Sequence, residues 1–239
     1  MSYEVALSSA FLSALTMPII LNFAHKNSLY DSLDARKNHN GNIPRLGGVG
    51  IFVAFATMMF GLILIQPGTV AKELASRASR LWPLALSGMI MHIIGLLDDI
   101  KAQSPRLKLA IQIVAAIMVV ASGYRFRGFG FQQDAMQGQL TWFSVILSVG
   151  WIVGVTNAVN FIDGIDGLAG SVSFIVAMVY GTLYYNFGDA SSSLICLCIA
   201  GVIVGFLFFN FPMPNAKIFM GDSGSLFLGF SLAVMPFLG

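Results

Sequence analysis

Asp163 and Asp166 stand three apart in NFIDGIDGLAG (160–170), each followed by glycine, with Asn157 and Asn160 upstream. Residues spaced by three share a helix face. Asn157, Asn160 and Asp163 therefore form a polar stripe on an apolar run, a pattern that points into a cavity rather than at lipid. The plainer reading is a turn with an N-cap. A second acidic pair, Asp98 and Asp99, ends the run HIIGLLDD. Adjacent carboxylates repel and are costly near low dielectric unless a cation sits there. Their charge at a helix C-terminus also opposes the macrodipole. The pair reads as a hydrated helix end, a cation site or a general base. Asp222 lies in FMGDSGS, between Gly221 and Gly224. Asp222 or Ser223 could cap a helix starting near Ser225. The same helix start, with free N–H groups beside a carboxylate, also suits a phosphate and its metal.

The elements that must position these residues are membrane helices. Of 239 residues, 56% are hydrophobic and 10% charged, against about 25% charged in soluble domains. A helical span needs about 20 mostly apolar residues. Such runs fall near 5–24, 47–66, 81–97, 107–123, 142–160, 168–186 and 192–211, and an eighth begins near 225. Runs this long exclude barrel strands. The expected fold is all-α: a polytopic transmembrane bundle of about seven full spans plus a truncated eighth. Residues 1–239 read as one domain, without linker or internal repeat. The first Lys or Arg is Lys26, so residues 5–24 read as an anchor that stays rather than a cleaved signal. Cys196 and Cys198 lie in an apolar run and read as buried small residues. A net charge of +2 without a basic tract gives no sign of a nucleic-acid partner.

Loop parity groups the polar clusters. Loops one, three, five and seven share a side, and they hold DSLDARKNHNGNIPRLGG, DDIKAQSPR, NFIDGIDG and NFPMPNAKIFMGDSGS. Lys plus Arg number 8 on that face and 5 on the other. The positive-inside rule puts the clustered face in the cytoplasm and the N-terminus outside. That face gathers Asp98, Asp99, Asp163, Asp166 and Asp222 with Lys37, Arg45, Lys101, Arg106, Lys108 and Lys217. Few carboxylates completed by phosphate oxygens and water suit Mg²⁺, and the bases suit further phosphates. The residues thus point to phosphate chemistry with a divalent cation at the cytoplasmic leaflet, where a lipid phosphate is a natural participant. His92 sits in an apolar run and reads as packed on a neighbouring helix. His39, in the first loop, is placed to touch phosphate.

IPRLGG (43–48), GLLDD (95–99), NAVNFIDGIDGLAG (157–170) and AKIFMGDSGSLFLG (216–229) occur in this order. By these four motifs the sequence resembles the polyprenyl-phosphate N-acetylhexosamine-1-phosphate transferase family, which includes the phospho-MurNAc-pentapeptide translocase. NFIDGIDG and GDSGS look closer to its amino-sugar branch. The resemblance implies transfer of a sugar-1-phosphate, GlcNAc-1-phosphate above all, from a UDP-N-acetylhexosamine to polyprenyl (undecaprenyl) phosphate with release of UMP. It implies Mg²⁺, or Mn²⁺ in its place, on Asp222 with Asp98. Asp98 or Asp99 would act on the prenyl phosphate, and Asn160 and Asp163 would order the diphosphate and metal shell. Asp166 and Phe219 would contact uracil, with Asn157, Lys108 and Arg45 also toward substrate. Asn210 precedes the last motif, where FPMPN adds spacing to the family pattern. Family members continue for several more helices with a His-rich loop, so the sequence is expected to be C-terminally incomplete relative to them. The implied place is the bacterial inner membrane, with the site facing the cytoplasm and membrane lipid around it. The rival reading is an ion- or proton-coupled transporter, which would put its carboxylates near the midplane on broken helices. An intramembrane aspartyl protease would need two buried carboxylates sharing a proton.

Overall fold

A computed structural model of the chain describes residues 2–27, 29–30, 43–65, 76–126, 137–211 and 215–239. These residues form α1 (Ser2–Lys26), α2 (Gly47–Ile65), α3 (Ala78–Ile100), α4 (Pro105–Ala121), α5 (Gln137–Ile162), α6 (Leu168–Asn186), α7 (Ala190–Asn210) and α8 (Gly221–Val234), then a 3₁₀ turn at Met235–Phe237. Among the described residues there is no strand, only an isolated bridge between Tyr30 and Pro44. The chain is an all-α polytopic membrane protein, as its composition predicts.

The boundaries follow local chemistry. α4 starts where Ser104 Oγ accepts the Leu107 N–H at 3.2 Å, with Pro105 in the first turn, the pairing that a helix start favours. α7 starts at Asp189, whose carboxylate accepts the Ser192 N–H at 3.1 Å. α6 follows Gly167, which takes a left-handed φ of +73°.

Six helices, α1, α2, α3, α5, α6 and α7, are long and apolar enough to cross a membrane. The fourth of the seven expected full spans, α4, has 17 residues, because Ser104–Pro105 opens it and the Ser122–Gly123 turn closes it. The expected eighth, α8, begins at Gly221 rather than near 225, and runs for 14 residues. Burial explains the architecture. On α1, Leu7, Phe11, Leu15 and Ile19 recur every four residues and are exposed, whereas Ser9, Ser13 and Met17 on the inner face are fully buried. In lipid this inversion is the rule: apolar side chains face out and small or polar ones let backbones approach. Gly201 and Gly205 of α7 meet α1 so closely that a Cβ at either would strike the Ala6 or Ala10 carbonyl, and Ser13 Oγ donates to Val202 O at 2.8 Å.

α8 is the central post. Every residue from Ser223 to Val234 is buried, against α3, α5 and α2. One core groups Met17, Ile51, Ile203 and Phe206 with Phe227 and Leu228. A second joins Met91, Ile152, Leu226 and Phe230. The N-terminus of α8 is thereby fixed at one end of the bundle.

Candidate active site

Four chain segments converge on the start of α8. Segment 44–48 pairs with 219–220 through backbone bonds: Phe219 N–H to Pro44 O at 2.8 Å, Gly47 N–H to Phe219 O at 2.9 Å and Gly48 N–H to Met220 O at 2.8 Å. This fixes the IPRLGG motif as a docking strip for the last motif and sets Arg45 beside Gly221. Gly48 and Gly95 allow the approach. A Cβ on Gly48 would run into the backbone of Gly224, and one on Gly95 into the carbonyl of Asp222.

Asp99 reaches across from α3 to cap α8. Its Oδ1 accepts the Asp222 N–H at 2.8 Å and its Oδ2 the Ser223 N–H at 2.9 Å. A carboxylate at a helix N-terminus satisfies orphan donors and meets the positive end of the dipole. Sequence reading expected Asp222 or Ser223 to cap this helix, or its N–H groups to stand free for phosphate. The structure corrects both: the cap comes from another helix, and two of the N–H groups are already taken. The geometry makes Asp99 a positioning group.

Asp98 and Asp222 meet at Lys108. The Lys108 ammonium lies 3.1 Å from Asp98 Oδ2 and 2.8 Å from Asp222 Oδ2, with all three side chains largely buried. Asp98 Oδ1 accepts the Gln103 N–H at 2.7 Å, so the connection between α3 and α4 orients it. The Asn157–Asn160–Asp163 stripe finds partners inside the chain. Asn157 exchanges two hydrogen bonds with Gln112 of α4. Asn160 Nδ2 donates to Ser225 Oγ of α8 at 2.8 Å. Asp163 lies just past α5, in the turn before α6. Burial pushes its carboxyl up to about 8, and the charges of Asp222, Asp99 and Asp166 add to the rise while Arg45 opposes it. Asp163 and Arg45 thus belong to the same electrostatic cluster. Asp166 lies half-buried in that turn, and Phe219 is held by its backbone with its side chain half-buried. Lys37 and His39 fall outside the described residues.

Sequence reasoning left Asn210 aside, yet it joins two motifs. Its Oδ1 accepts the Gly167 N–H and its Nδ2 donates to Ile218 O, each at 2.9 Å. The available signal was an amide at the end of the most apolar span, where an unpaired polar group is costly. Gln112 and Ser225 were likewise passed over. His92 packs as expected: stacked on Phe52 at 4.2 Å, with Nδ1 3.2 Å from Ser223 O, where it donates to the carbonyl.

The carboxylates, Lys108 and Arg45 therefore gather at one end of the bundle, from span ends and not from the midplane, which removes the motive for a transporter. A family model described as "Glycosyl transferase family 4" matches residues 81–239, two-thirds of the chain and all five acidic positions of the cluster. The chain belongs to that family. The "Probable undecaprenyl-phosphate N-acetylglucosaminyl 1-phosphate transferase" of Bacillus subtilis (strain 168) is 36% identical over 239 residues, covering 98% of this chain and 62% of the relative. A "Phospho-N-acetylmuramoyl-pentapeptide-transferase" of Clostridium perfringens (strain 13 / Type A) is 30% identical over 241 residues, covering 96% of this chain and 73% of the relative. That of Lactobacillus acidophilus is 31% identical over 246 residues, with 97% and 73% covered. The chain thus spans under two-thirds of the length of the Bacillus relative. In this family-4 chain, the match starts beyond α2, in α3, and so leaves out the docking strip that carries Arg45. Both kinds of relative nonetheless cover it.

Proposed function

We propose that the chain transfers an N-acetylhexosamine-1-phosphate, GlcNAc-1-phosphate first, from a UDP-sugar to polyprenyl phosphate. The observation that carries this is the convergence of Asp98, Asp99, Asp163 and Asp222 with Lys108 and Arg45 around the start of one buried helix at the end of a membrane bundle. In the reaction an oxygen of the prenyl phosphate forms a bond to the sugar-linked phosphorus. The bond from that phosphorus to the UMP oxygen breaks, and its electron pair leaves with UMP. A phosphate monoester is largely ionised near neutral pH, so positioning and charge neutralisation matter more than a strong base.

The donor set fits Mg²⁺. Among the described residues no three His, Cys, Asp or Glu side chains form a metal cage. Mg²⁺ characteristically takes one or two carboxylates and fills the rest of its shell with phosphate and water. Asp222 and Asp98, already facing one cation, would hold it, with Asp163 beside them. When bound, the ion neutralises charge building on the diphosphate oxygens. Asp99 keeps Asp222 in place through the α8 backbone. Lys108 and Arg45 offer cations to phosphate oxygens. Asn160 orients Ser225 next to Asp222. Asp166 and Phe219 are the uracil contacts, the ring supplying a stacking face.

The active face is cytoplasmic, the N-terminus lies outside, and the membrane is the bacterial inner membrane; the Lys and Arg bias supports this orientation. A cysteine introduced at Ser104 should resist an impermeant thiol reagent in intact cells and one at Ser76 should react; the reverse pattern overturns it. The activity is tested with a panel of UDP-sugars and a prenyl phosphate, reading UMP and the mass of the lipid product. A prenyl-diphospho-N-acetylhexosamine is expected. No lipid product from any donor would sink the reading.

A further inference from the structure

Lys108 is held in an unusual place for a lysine that serves phosphate. Its ammonium lies between oxygens of two acids, Asp98 and Asp222, that sit 124 residues apart in the chain. Asp98 is oriented by the Gln103 N–H. Asp222 is set by the α8 N-terminus that Asp99 clamps. Lys108 itself leaves α4 one turn after the Ser104 cap. Three elements therefore agree on one point, and that point carries a covalently attached positive charge. These are the same acids assigned above to Mg²⁺. An ammonium and a divalent ion cannot both take the same pair of oxygens.

Resting on that assignment, we propose that Lys108 is a built-in competitor of the divalent cation: it holds Asp98 and Asp222 together in the free enzyme and moves onto the substrate diphosphate when the cation arrives. A cation binding alone must displace Lys108 and strand a part-buried ammonium without an anion, which is costly. The diphosphate removes that cost by giving the ammonium new acceptors. The lysine stem is flexible enough for the shift. Cation and nucleotide are then coupled, each raising the affinity for the other by the same factor. The site stays closed to a bare divalent ion and opens to one that comes with its diphosphate. A lysine that merely braced the bundle would behave differently. Removing its charge would leave the two acids to repel, loosen the start of α8 and weaken the cation site.

Mn²⁺ binding by the purified protein in detergent, followed by the electron paramagnetic resonance of free Mn²⁺, separates these cases. It is measured with and without UDP for wild type, Lys108→Gln and Lys108→Arg, with a thermal melt of each. Lys108→Gln should bind Mn²⁺ alone about tenfold more tightly than wild type, within the usual range of such couplings. UDP should strengthen Mn²⁺ binding in wild type and in Lys108→Arg, and much less in Lys108→Gln. Equal or weaker Mn²⁺ binding by a normally melting Lys108→Gln overturns the proposal while leaving the transferase reading intact. Should the glutamine variant not melt cooperatively, Lys108→Met replaces it. Failure of UDP to raise Mn²⁺ affinity in wild type overturns the proposal without any variant. No Mn²⁺ binding by any form, with UDP or without, overturns the cation assignment and this proposal together.

Discussion

Both ends of the bundle carry charge, and they dispose of it in opposite ways. At the end away from the site, Arg77 Nη1 meets both oxygens of Asp189, at 2.9 and 3.0 Å. Asp189 also takes the Ser192 N–H and the hydroxyls of Ser191 and Ser192. Burial works against its charge, but the Ser192 amide and Arg77 outweigh it and hold the carboxyl below its ordinary value. This pair is closed on itself. At the site end, by contrast, acids face acids. Asp163 is pushed up to about 8 by burial and by Asp222 and Asp99, and one lysine serves two carboxylates. A closed pair is structural. A surplus of one sign, kept in place by backbone amides, is a demand for a partner that the protein does not supply.

The strongest way to break this contrast is Asp222→Asn. It removes one of the two acids facing Lys108 and should lower turnover by at least about 10²-fold, the usual cost of one strong electrostatic stabiliser. UMP release at saturating Mg²⁺, by protein with a normal melt, checks it. Near-wild-type turnover would mean the surplus is decorative. Next is Gly48→Ala, where the new Cβ strikes the Gly224 backbone. Overpacking of this kind costs about 1–3 kcal/mol, so both melting temperature and activity should fall. Gly154→Ala, in a helix with nothing nearby, should be neutral or stabilise by up to about 1 kcal/mol. A harmless Gly48→Ala would show that the docking strip is not tight.

Asp163→Asn sharpens the comparison through pH. A carboxyl raised in the folded state favours folding while it is neutral. That contribution is complete below the unfolded value and is lost as pH rises through about 8. With divalent ions chelated, the wild-type melting temperature should therefore fall from pH 5 to pH 9, and the asparagine variant should flatten the trend. Parallel slopes would remove Asp163 from the cluster. The smallest effect is expected from Arg77→Met. A partly exposed ion pair is worth about 0–1 kcal/mol, so the melting temperature should drop slightly and turnover per folded molecule should not change. For Asp189 the sign is reversed. Its stabilisation is present above the unfolded carboxylate value and is lost as pH falls through the lowered folded one, so the difference between wild type and Arg77→Met should vanish only in acid. Loss of turnover in this variant would make the far end part of the machinery.

The spans were legible because hydropathy and length act locally, and loop parity then put the acids on one face. The polar stripe was visible too, as Asn157, Asn160 and Asp163 interrupt an apolar run. What stayed hidden depends on contacts distant in sequence. Nothing near Asp99 says that it caps a helix 123 residues later. Nothing near Lys108 says that it meets Asp222. α4 read as a full span because its apolar run, near 107–123, is about as long as the shortest helices that cross a bilayer. α8 read as a late-starting span because its first residues, Gly221 to Ser225, are small and polar. All but Asp222 are buried inside the protein rather than against lipid, and composition does not distinguish the two.

The amide of Asn210 has a mechanical consequence. Gly167, which it accepts from, adjoins Asp166; Ile218, which it donates to, adjoins Phe219. The segments carrying the two residues expected to grip the base are thus tied to each other through one side chain, in addition to the backbone bonds that pin Phe219 to the docking strip. A ligand contacting both segments would meet one tied unit rather than two independent loops, and preorganisation of that kind strengthens binding without adding a contact. Aspartate at 210 could still accept from Gly167 but could not donate to Ile218, so that change would cut the tie between the two segments while leaving Phe219 held to the docking strip.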